Sequence, residues 1–177
     1  MTYSDERVTI GSHRPRQVSS FKTWVLVIVP LAAILYQVYV PLFFQFLGYL
    51  EMPLLVVVYF AIMKRSPIRG LFIGAAVGLV QDSLSKNPLG MFGITKTLVG
   101  YLASSIGVRL NVDQSLIRFL LAYFFFLFHQ GFYWILARAL LRQPLPFDPL
   151  RTLVVALFNA VVATLMYPLL DKLRQKS

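Results

Sequence analysis

The chain has 177 residues, of which 58% are hydrophobic and 14% charged, and its mean hydropathy is +0.69. A water-soluble domain of this length cannot hide so much apolar surface, so an ordinary globular fold is excluded. The net charge of +10 does not indicate nucleic-acid binding, because the basic residues lie in short clusters between apolar runs, as in cytoplasmic loops. The absence of cysteine excludes a disulfide framework, a thiolate metal site and a cysteine nucleophile.

The pattern predicts an all-α integral membrane protein with six transmembrane helices. Residues 1–20 are polar and are predicted to form a disordered cytoplasmic tail. Residues 21–171 form the predicted membrane domain, and residues 172–177 a short cytoplasmic C-terminal tail. The predicted segments are Phe21–Leu47, Met52–Met63, Ile68–Leu84, Leu89–Val108, Ser115–Leu141 and Leu150–Leu170.

The sequence leaves open where the first segment ends and whether the second and third segments cross the membrane. Pro30 and Pro41 are expected to kink the first segment or to end it early. The second and third are short, and they fit either two thin spans or a re-entrant pair. Six spans with both termini cytoplasmic place most of the basic residues inside, which favours two spans.

Small residues mark the third and fourth segments as a close-packed pair. Gly70, Gly74 and Gly78 recur at four-residue spacing and therefore share one helix face. Gly93 and Gly100 are comparable small residues in the fourth segment. In a membrane such residues let two helix backbones approach closely, so these five glycines are the predicted helix-packing residues.

Ionisable residues inside the apolar segments are the candidate functional residues. Asp82 and Lys96 are predicted to meet across the hairpin, unless Lys96 extends its side chain to the outer surface. A structural role for this pair is favoured over a transport or ligand role. His129 has two readings, a proton relay or ligand contact and a neutral histidine bonded to a neighbouring helix, and the second is favoured. Glu51 is interpreted as an interface residue.

Catalytic chemistry is not indicated. The sequence has no serine–histidine–aspartate arrangement, no cluster of metal ligands and no nucleotide-binding fingerprint. We therefore predict no enzyme activity, no catalytic residue, no metal and no cofactor.

The order of motifs resembles the rod shape-determining protein MreD family of bacteria. The resemblance covers about Leu26 to Leu170 and is sharpest from Gly70 to Gly90. It rests on Pro53 opening the second segment, a basic pair and Pro67 before the third, Gly74-x-x-x-Gly78-x-x-x-Asp82, Pro88-Leu89-Gly90 and Gly100-Tyr101-Leu102. Within the loop before the fourth segment, Pro88 and Gly90 are the residues that carry this pattern.

The resemblance implies a non-enzymatic scaffold of the cell-elongation machinery in the bacterial inner membrane. It implies MreC as the main partner, with MreB, RodA and a class B penicillin-binding transpeptidase as further partners, and a role in lateral peptidoglycan synthesis. Membrane lipid surrounds such a protein, and nucleic acid is not a partner. The implied fold is similar to the six-helix substrate-binding components of energy-coupling-factor transporters.

Two functional hypotheses follow. In the first, the glycine-packed hairpin holds the loop from Asp82 to Gly90 rigid, and the aromatic spans or an outward-facing groove bind the membrane helix of MreC. In the second, the chain is a small-molecule or lipid-binding transporter component of the energy-coupling-factor type, with Asp82, Lys96 and His129 near the ligand.

Overall fold

A computed structural model describes residues 20–85, 88–142 and 148–175. The elements in chain order are strand β1 (Ser20–Phe21), helix α1 (Thr23–Phe43), a 3₁₀ helix (Gln45–Tyr49), helices α2 (Met52–Lys64), α3 (Pro67–Leu84), α4 (Met91–Arg109), α5 (Ser115–Leu141) and α6 (Pro149–Asp171), and strand β2 (Arg174–Gln175). The α-helices correspond one to one with the predicted apolar segments. Helix α5 has the predicted ends, and the ends of α2, α3, α4 and α6 differ from the prediction by at most two residues.

Helix α1 is shorter than the predicted first span, because the chain leaves the α-helix at Phe43 and continues as the separate 3₁₀ helix. Both prolines of the segment, Pro30 and Pro41, lie inside α1. Membrane helices tolerate proline where neighbouring groups satisfy the main-chain carbonyls that it leaves unpaired. Pro41 stands only two residues before the helix ends, so the expected early end occurs near the second proline.

Five stretches of the described residues are long and apolar enough to cross a membrane, and α3 is not among them. The stretch containing α2 qualifies only together with the preceding 3₁₀ helix, as Gln45–Lys64. Helix α3 falls short because it carries Arg69, Gln81 and Asp82 among its apolar residues. Composition and length therefore support five spans, one fewer than the sequence predicted.

Helix α2 forms the centre of the bundle. All of its residues from Pro53 to Met63 are buried, whichever face of the helix they lie on. A helix that is apolar all round is a core helix rather than a lipid-facing one. With 13 residues, α2 is only about 20 Å long at ~1.5 Å per residue, and the surrounding helices shield it from lipid.

The two ends of the described chain meet. Strands β1 and β2 pair antiparallel, with Ser20 opposite Gln175 and Phe21 opposite Arg174. The ring of Phe21 is buried against Tyr59 and Phe60 of α2 in edge-to-face contacts. The chain therefore enters and leaves the bundle on the same side. The predicted tails fall mainly on residues 1–19 and 176–177, which lie outside the described residues.

Candidate functional site

Helices α3 and α4 pack backbone to backbone at the glycines. A Cβ atom added to Gly74 would overlap the main-chain carbonyl of Lys96, and one added to Gly78 would overlap that of Phe92. Gly70 and Gly100 face each other, and a Cβ on either would overlap the carbonyl oxygen of the other. Only hydrogen fits at these contacts, so the glycines set the distance between the two helices.

The remaining predicted packing glycine has a different environment. A Cβ on Gly93 would meet the side chain of Leu79 at 2.8 Å and a carboxylate oxygen of Asp82 at 3.4 Å. The atoms nearest to a Cβ on Gly93 are therefore side-chain atoms, whereas main-chain atoms lie nearest at Gly74 and Gly78. Gly93 makes room for the polar contact of Asp82 with the start of α4.

Asp82 caps the first turn of α4. Its carboxylate accepts hydrogen bonds from the main-chain N–H groups of Gly90 (3.0 Å), Phe92 (3.1 Å) and Gly93 (2.8 Å). The first N–H groups of a helix lack partners within it and carry partial positive charge, so they suit a carboxylate. This contact joins the end of α3 to the beginning of α4 and satisfies a carboxylate that is 1% exposed.

The loop that carries Pro88 and Gly90 completes this arrangement. The carbonyl of Pro88 accepts from the N–H of Met91 at 3.4 Å. Gly90 has a φ of 96°, a left-handed conformation that side chains other than hydrogen rarely permit. Lys86 and Asn87 lie outside the described residues. The turn from Pro88 to Gly90 thus orients the N–H groups that Asp82 binds.

The predicted pairing of Asp82 with Lys96 is wrong in the structure. Asp82 is engaged by main-chain N–H groups, whereas the Lys96 ammonium lies 3.7 Å from a carboxylate oxygen of Glu51. The alternative, in which Lys96 extends to the outer surface, also fails, because Lys96 is 0% exposed. The two residues lie on the same hairpin, but each carries its own set of contacts.

Lys96 also contacts His129, so that Glu51, Lys96 and His129 form one group, here called the polar triad. The Lys96 Nζ is 3.2 Å from His129 Nε2 and 4.3 Å from the centre of the Phe92 ring. An ammonium can only donate, so a charged Lys96 requires His129 Nε2 to be the acceptor of this hydrogen bond. His129 is buried and its ring stacks on Phe92 at 5.9 Å. This contact between α4 and α5 is the kind of interhelical hydrogen bond that the favoured interpretation of His129 predicts.

Glu51 was not expected in this group, since the sequence suggested an interface residue. Its side chain is 14% exposed, and its main-chain N–H donates to Asn159 Oδ1 at 2.9 Å. Asn159 also donates from Nδ2 to the carbonyls of Tyr49 (2.8 Å) and Val155 (3.0 Å). A signal existed in the sequence: a carboxylate directly before a long apolar run needs a partner in a membrane.

The polar triad draws its members from different positions in the fold, and Lys96 lies in the second turn of α4. His129 stands near the middle of α5, and Asn159, which binds Glu51, stands near the middle of α6. Helix α2 begins directly after Glu51, which places this carboxylate at the start of the central helix. Lys96 and His129 are buried, and buried polar groups in a membrane bundle are costly without partners.

A second polar cluster lies at the opposite end of α2. The Arg118 guanidinium binds Asp171 at 2.5 Å and the carbonyl of Val112 at 2.6 Å, and Tyr59 donates to Asp171 at 2.8 Å. Arg118 is only 5% exposed, so its guanidinium is buried within this cluster. The cluster joins α2, α5 and α6 near the paired strands.

Two cavities border Glu51. The larger, of about 450 Å³, lies between α1 and α3 and is called the α1–α3 cavity; its polar lining consists of Gln37, Glu51, Gln81 and Ser85. The smaller, of about 230 Å³, is lined by Glu51, Gln130 and Arg151 among others. Polar side chains thus converge on space that is open enough to hold a molecule.

Replacing Asp82 with alanine should lower the free energy of unfolding by about 3 kcal/mol, because buried N–H groups at the start of α4 lose their acceptor. Unfolding by dodecyl sulfate in mixed micelles measures this. The matched control is Asp148→Ala, which removes an exposed cap that accepts from Arg151 N at 3.1 Å and should cost about 1 kcal/mol. Equal losses in the two variants would contradict a special role for Asp82.

Comparison with known proteins gives one family. The family model described as rod shape-determining protein MreD matches residues 19–177, nearly the whole chain. The match includes every described helix and both short strands. No curated protein and no solved structure matches the chain.

Proposed function

The chain belongs to the MreD family of rod shape-determining proteins, and from this membership we propose a non-enzymatic scaffold of the elongation machinery in the bacterial inner membrane. The observation that supports a role in rod shape is the match to this family. The scaffold would support lateral peptidoglycan synthesis by holding other membrane proteins together. Its rigid, glycine-packed hairpin and fully buried α2 are suited to presenting a fixed surface.

The proposed topology has six spans and cytoplasmic termini. Helix α3 serves as the sixth span, since it runs antiparallel to α4 from the Gly70–Gly100 contact to the contact of Gly78 with Phe92. Protein covers part of α3, which lessens its need for apolar residues. The pairing of β1 with β2 supports a common side for both termini, and the distribution of basic residues supports the cytoplasm as that side.

The proposed main partner is MreC, with MreB, RodA and a class B penicillin-binding transpeptidase as further members of the assembly. An aromatic row on α5 offers a surface for a partner helix. The rings of Phe124 and Phe128 stack at 6.5 Å, and those of Phe128 and Phe132 at 5.8 Å. Stacked rings are stiffer than aliphatic side chains, so they lose less conformational entropy when a helix packs on them.

The test is affinity purification of the tagged chain from native membranes in mild detergent, followed by mass spectrometry. We expect recovery of MreC with RodA or its transpeptidase, and we expect the triple variant Phe124→Leu, Phe128→Leu, Phe132→Leu to lower that recovery about tenfold. The control is the pair Leu157→Ala and Leu165→Ala on the exposed face of α6. Recovery of wild-type chain without MreC would overturn the partner proposal, and unchanged recovery with the triple variant would overturn the surface.

A second candidate function is a ligand-binding transporter component of the energy-coupling-factor type, with a fold like that of its six-helix substrate-binding subunits. The two cavities beside Glu51 favour it. Recovery of an ATPase pair with a coupling subunit in the same purification would support this function and contradict the scaffold.

A further inference from the structure

The α1–α3 cavity is lined by oxygen atoms that have no hydrogen-bond partner within the part of the chain that the structure describes. These are Gln37 Oε1, Gln81 Oε1 and Ser85 Oγ; Glu51 Oε2 also borders the cavity, and its ion pair with Lys96 is long, at 3.7 Å. Gln81 is only 2% exposed, so its unpaired oxygen is isolated from bulk solvent. Buried polar atoms in native proteins are almost always paired, and several unpaired atoms around one cavity indicate a missing partner.

The charges around the cavity select the kind of partner. The Glu51 carboxylate at the cavity lies 3.7 Å from the Lys96 ammonium, and the nearby Asp82 carboxylate is held by main-chain N–H groups. An anionic group would face a carboxylate and several acceptor oxygens. A second ammonium would be repelled by Lys96. Neutral hydroxyl groups avoid both penalties, because each donates one hydrogen bond and also accepts from the amide N–H groups of Gln81 and Gln37.

The remaining lining of the cavity is apolar and continues onto the outside of the bundle. Leu42 at the end of α1 is 74% exposed, and Leu84 at the end of α3 is 47% exposed. In a membrane these side chains face lipid. A molecule that enters between them therefore has an apolar part beside α1 and α3 and a polar part inside the cavity.

We propose that the α1–α3 cavity binds a membrane amphiphile through a neutral, hydroxyl-bearing head such as a sugar, with its apolar tail between the ends of α1 and α3. The volume of about 450 Å³ lies within the ~300–1,000 Å³ typical of small-molecule sites. The hydroxyls bind the oxygen atoms of Gln37, Glu51, Gln81 and Ser85. The site is compatible with a scaffold or a transporter component, so it does not depend on which proteins the chain binds.

The experiment uses the full chain in phosphatidylcholine nanodiscs that contain a monoglucosyl diacylglycerol as probe. Native mass spectrometry counts the lipid retained on the released protein. We expect the glucosyl lipid to be retained about tenfold more than phosphatidylcholine, which has no hydroxyl donor in its head. Free glucose at the same concentration should not displace it, because the tail contributes to binding.

The variants identify the site. Gln81→Leu removes an acceptor and fills part of the cavity, and it should lower retention of the glucosyl lipid about tenfold. Ser85→Val makes the same test from a half-buried position at the end of α3, in case Gln81→Leu does not fold. The control is Gln130→Leu, which alters the lining of the smaller cavity and should leave retention unchanged.

Three results would overturn the proposal. Equal retention of the two lipids by the wild-type chain would show that the hydroxyl head is not recognised. Normal retention of the glucosyl lipid by folded Gln81→Leu or Ser85→Val would show that the lipid binds outside the α1–α3 cavity. Displacement by free glucose would show that the ligand is a soluble sugar rather than an amphiphile. None of these results depends on recovery of MreC, which tests the scaffold separately.

Discussion

Replacing Gly74 with alanine is expected to lower the free energy of unfolding by about 3 kcal/mol or more, because the new methyl group overlaps main-chain atoms that cannot rotate away. The Cβ would collide with the carbonyl of Lys96 and closely approach Thr97 Cα. Relief requires α3 and α4 to separate along their length. Unfolding by dodecyl sulfate in mixed micelles measures the loss.

The chain supplies a matched control for this substitution. Gly131 also lies within a helix, but a Cβ there would have no neighbour within 4 Å. Gly131→Ala should therefore stabilise the protein by about 0.5–1 kcal/mol, since alanine loses less conformational freedom in a helix than glycine. If Gly74→Ala and Gly131→Ala changed stability alike, the close approach of α3 to α4 would be contradicted.

The effect of Gly74→Ala should reach the polar triad, because the atom that is struck belongs to Lys96 itself. Any movement of the Lys96 backbone changes the distances from its ammonium to Glu51 and His129. Partner recovery should then fall together with stability if the hairpin orients the partner surface. Leucine at Gly74 or Gly78 should have the larger effect, since a longer side chain forces the helices farther apart.

The elements of the fold could be predicted because each depends on local sequence. Helix α5 is long, apolar and flanked by polar residues, and its ends agree with the prediction. The 3₁₀ helix at Gln45–Tyr49 was missed, since an apolar run continues through Phe46 and Leu47 without a break in pattern. For α3 the sequence left a thin span and a re-entrant segment open and favoured the span, but its glycines and polar residues leave it outside the five stretches that are apolar enough to cross a membrane.

The contacts of the candidate site could not be predicted in the same way, because they depend on how α2 is aligned with α4. Ser104 Oγ donates to the carbonyl of Ala61 at 3.0 Å, and Gly107 permits close approach to Ile62. This alignment brings Glu51 to Lys96 at the other end of the two helices. The spacing of residues along the hairpin suggested Asp82 as the partner of Lys96. That spacing depends only on α3 and α4 and contains no information about α2.

Arg118 illustrates the same difficulty. Its charge and its position near the start of the fifth predicted segment favour the cytoplasmic end of that segment, and the rule for basic residues says nothing about a buried partner. The structure instead buries Arg118 against Asp171, a residue more than fifty positions away. The sequence around Arg118 does not indicate which distant residue is its partner. The carboxylate of Asp171 at the end of an apolar helix indicates only that some cation lies nearby.

Replacing Lys96 with methionine is expected to lower the free energy of unfolding by about 3–5 kcal/mol, because the Glu51 carboxylate then lies in the bundle without a cation. Glu51→Gln should be costly for the converse reason, since it removes the carboxylate that lies 3.7 Å from the Lys96 ammonium. Lys172→Met, at an exposed position beyond α6, should change stability by no more than about 0.5 kcal/mol. Unfolding in mixed micelles distinguishes these cases.

The double variant Glu51→Gln, Lys96→Met decides whether the pair is structural. It removes both charges at once, so it should lose less than the sum of the single variants, because no uncompensated charge remains. Exchange of the charges between Asp82 and Lys96 should recover nothing, since Asp82 serves the start of α4 and not Lys96. Simple additivity of Glu51→Gln and Lys96→Met would contradict the ion pair. A double variant that regains stability but still fails to support rod shape would assign the polar triad a role in function beyond holding α2, α4 and α5 together.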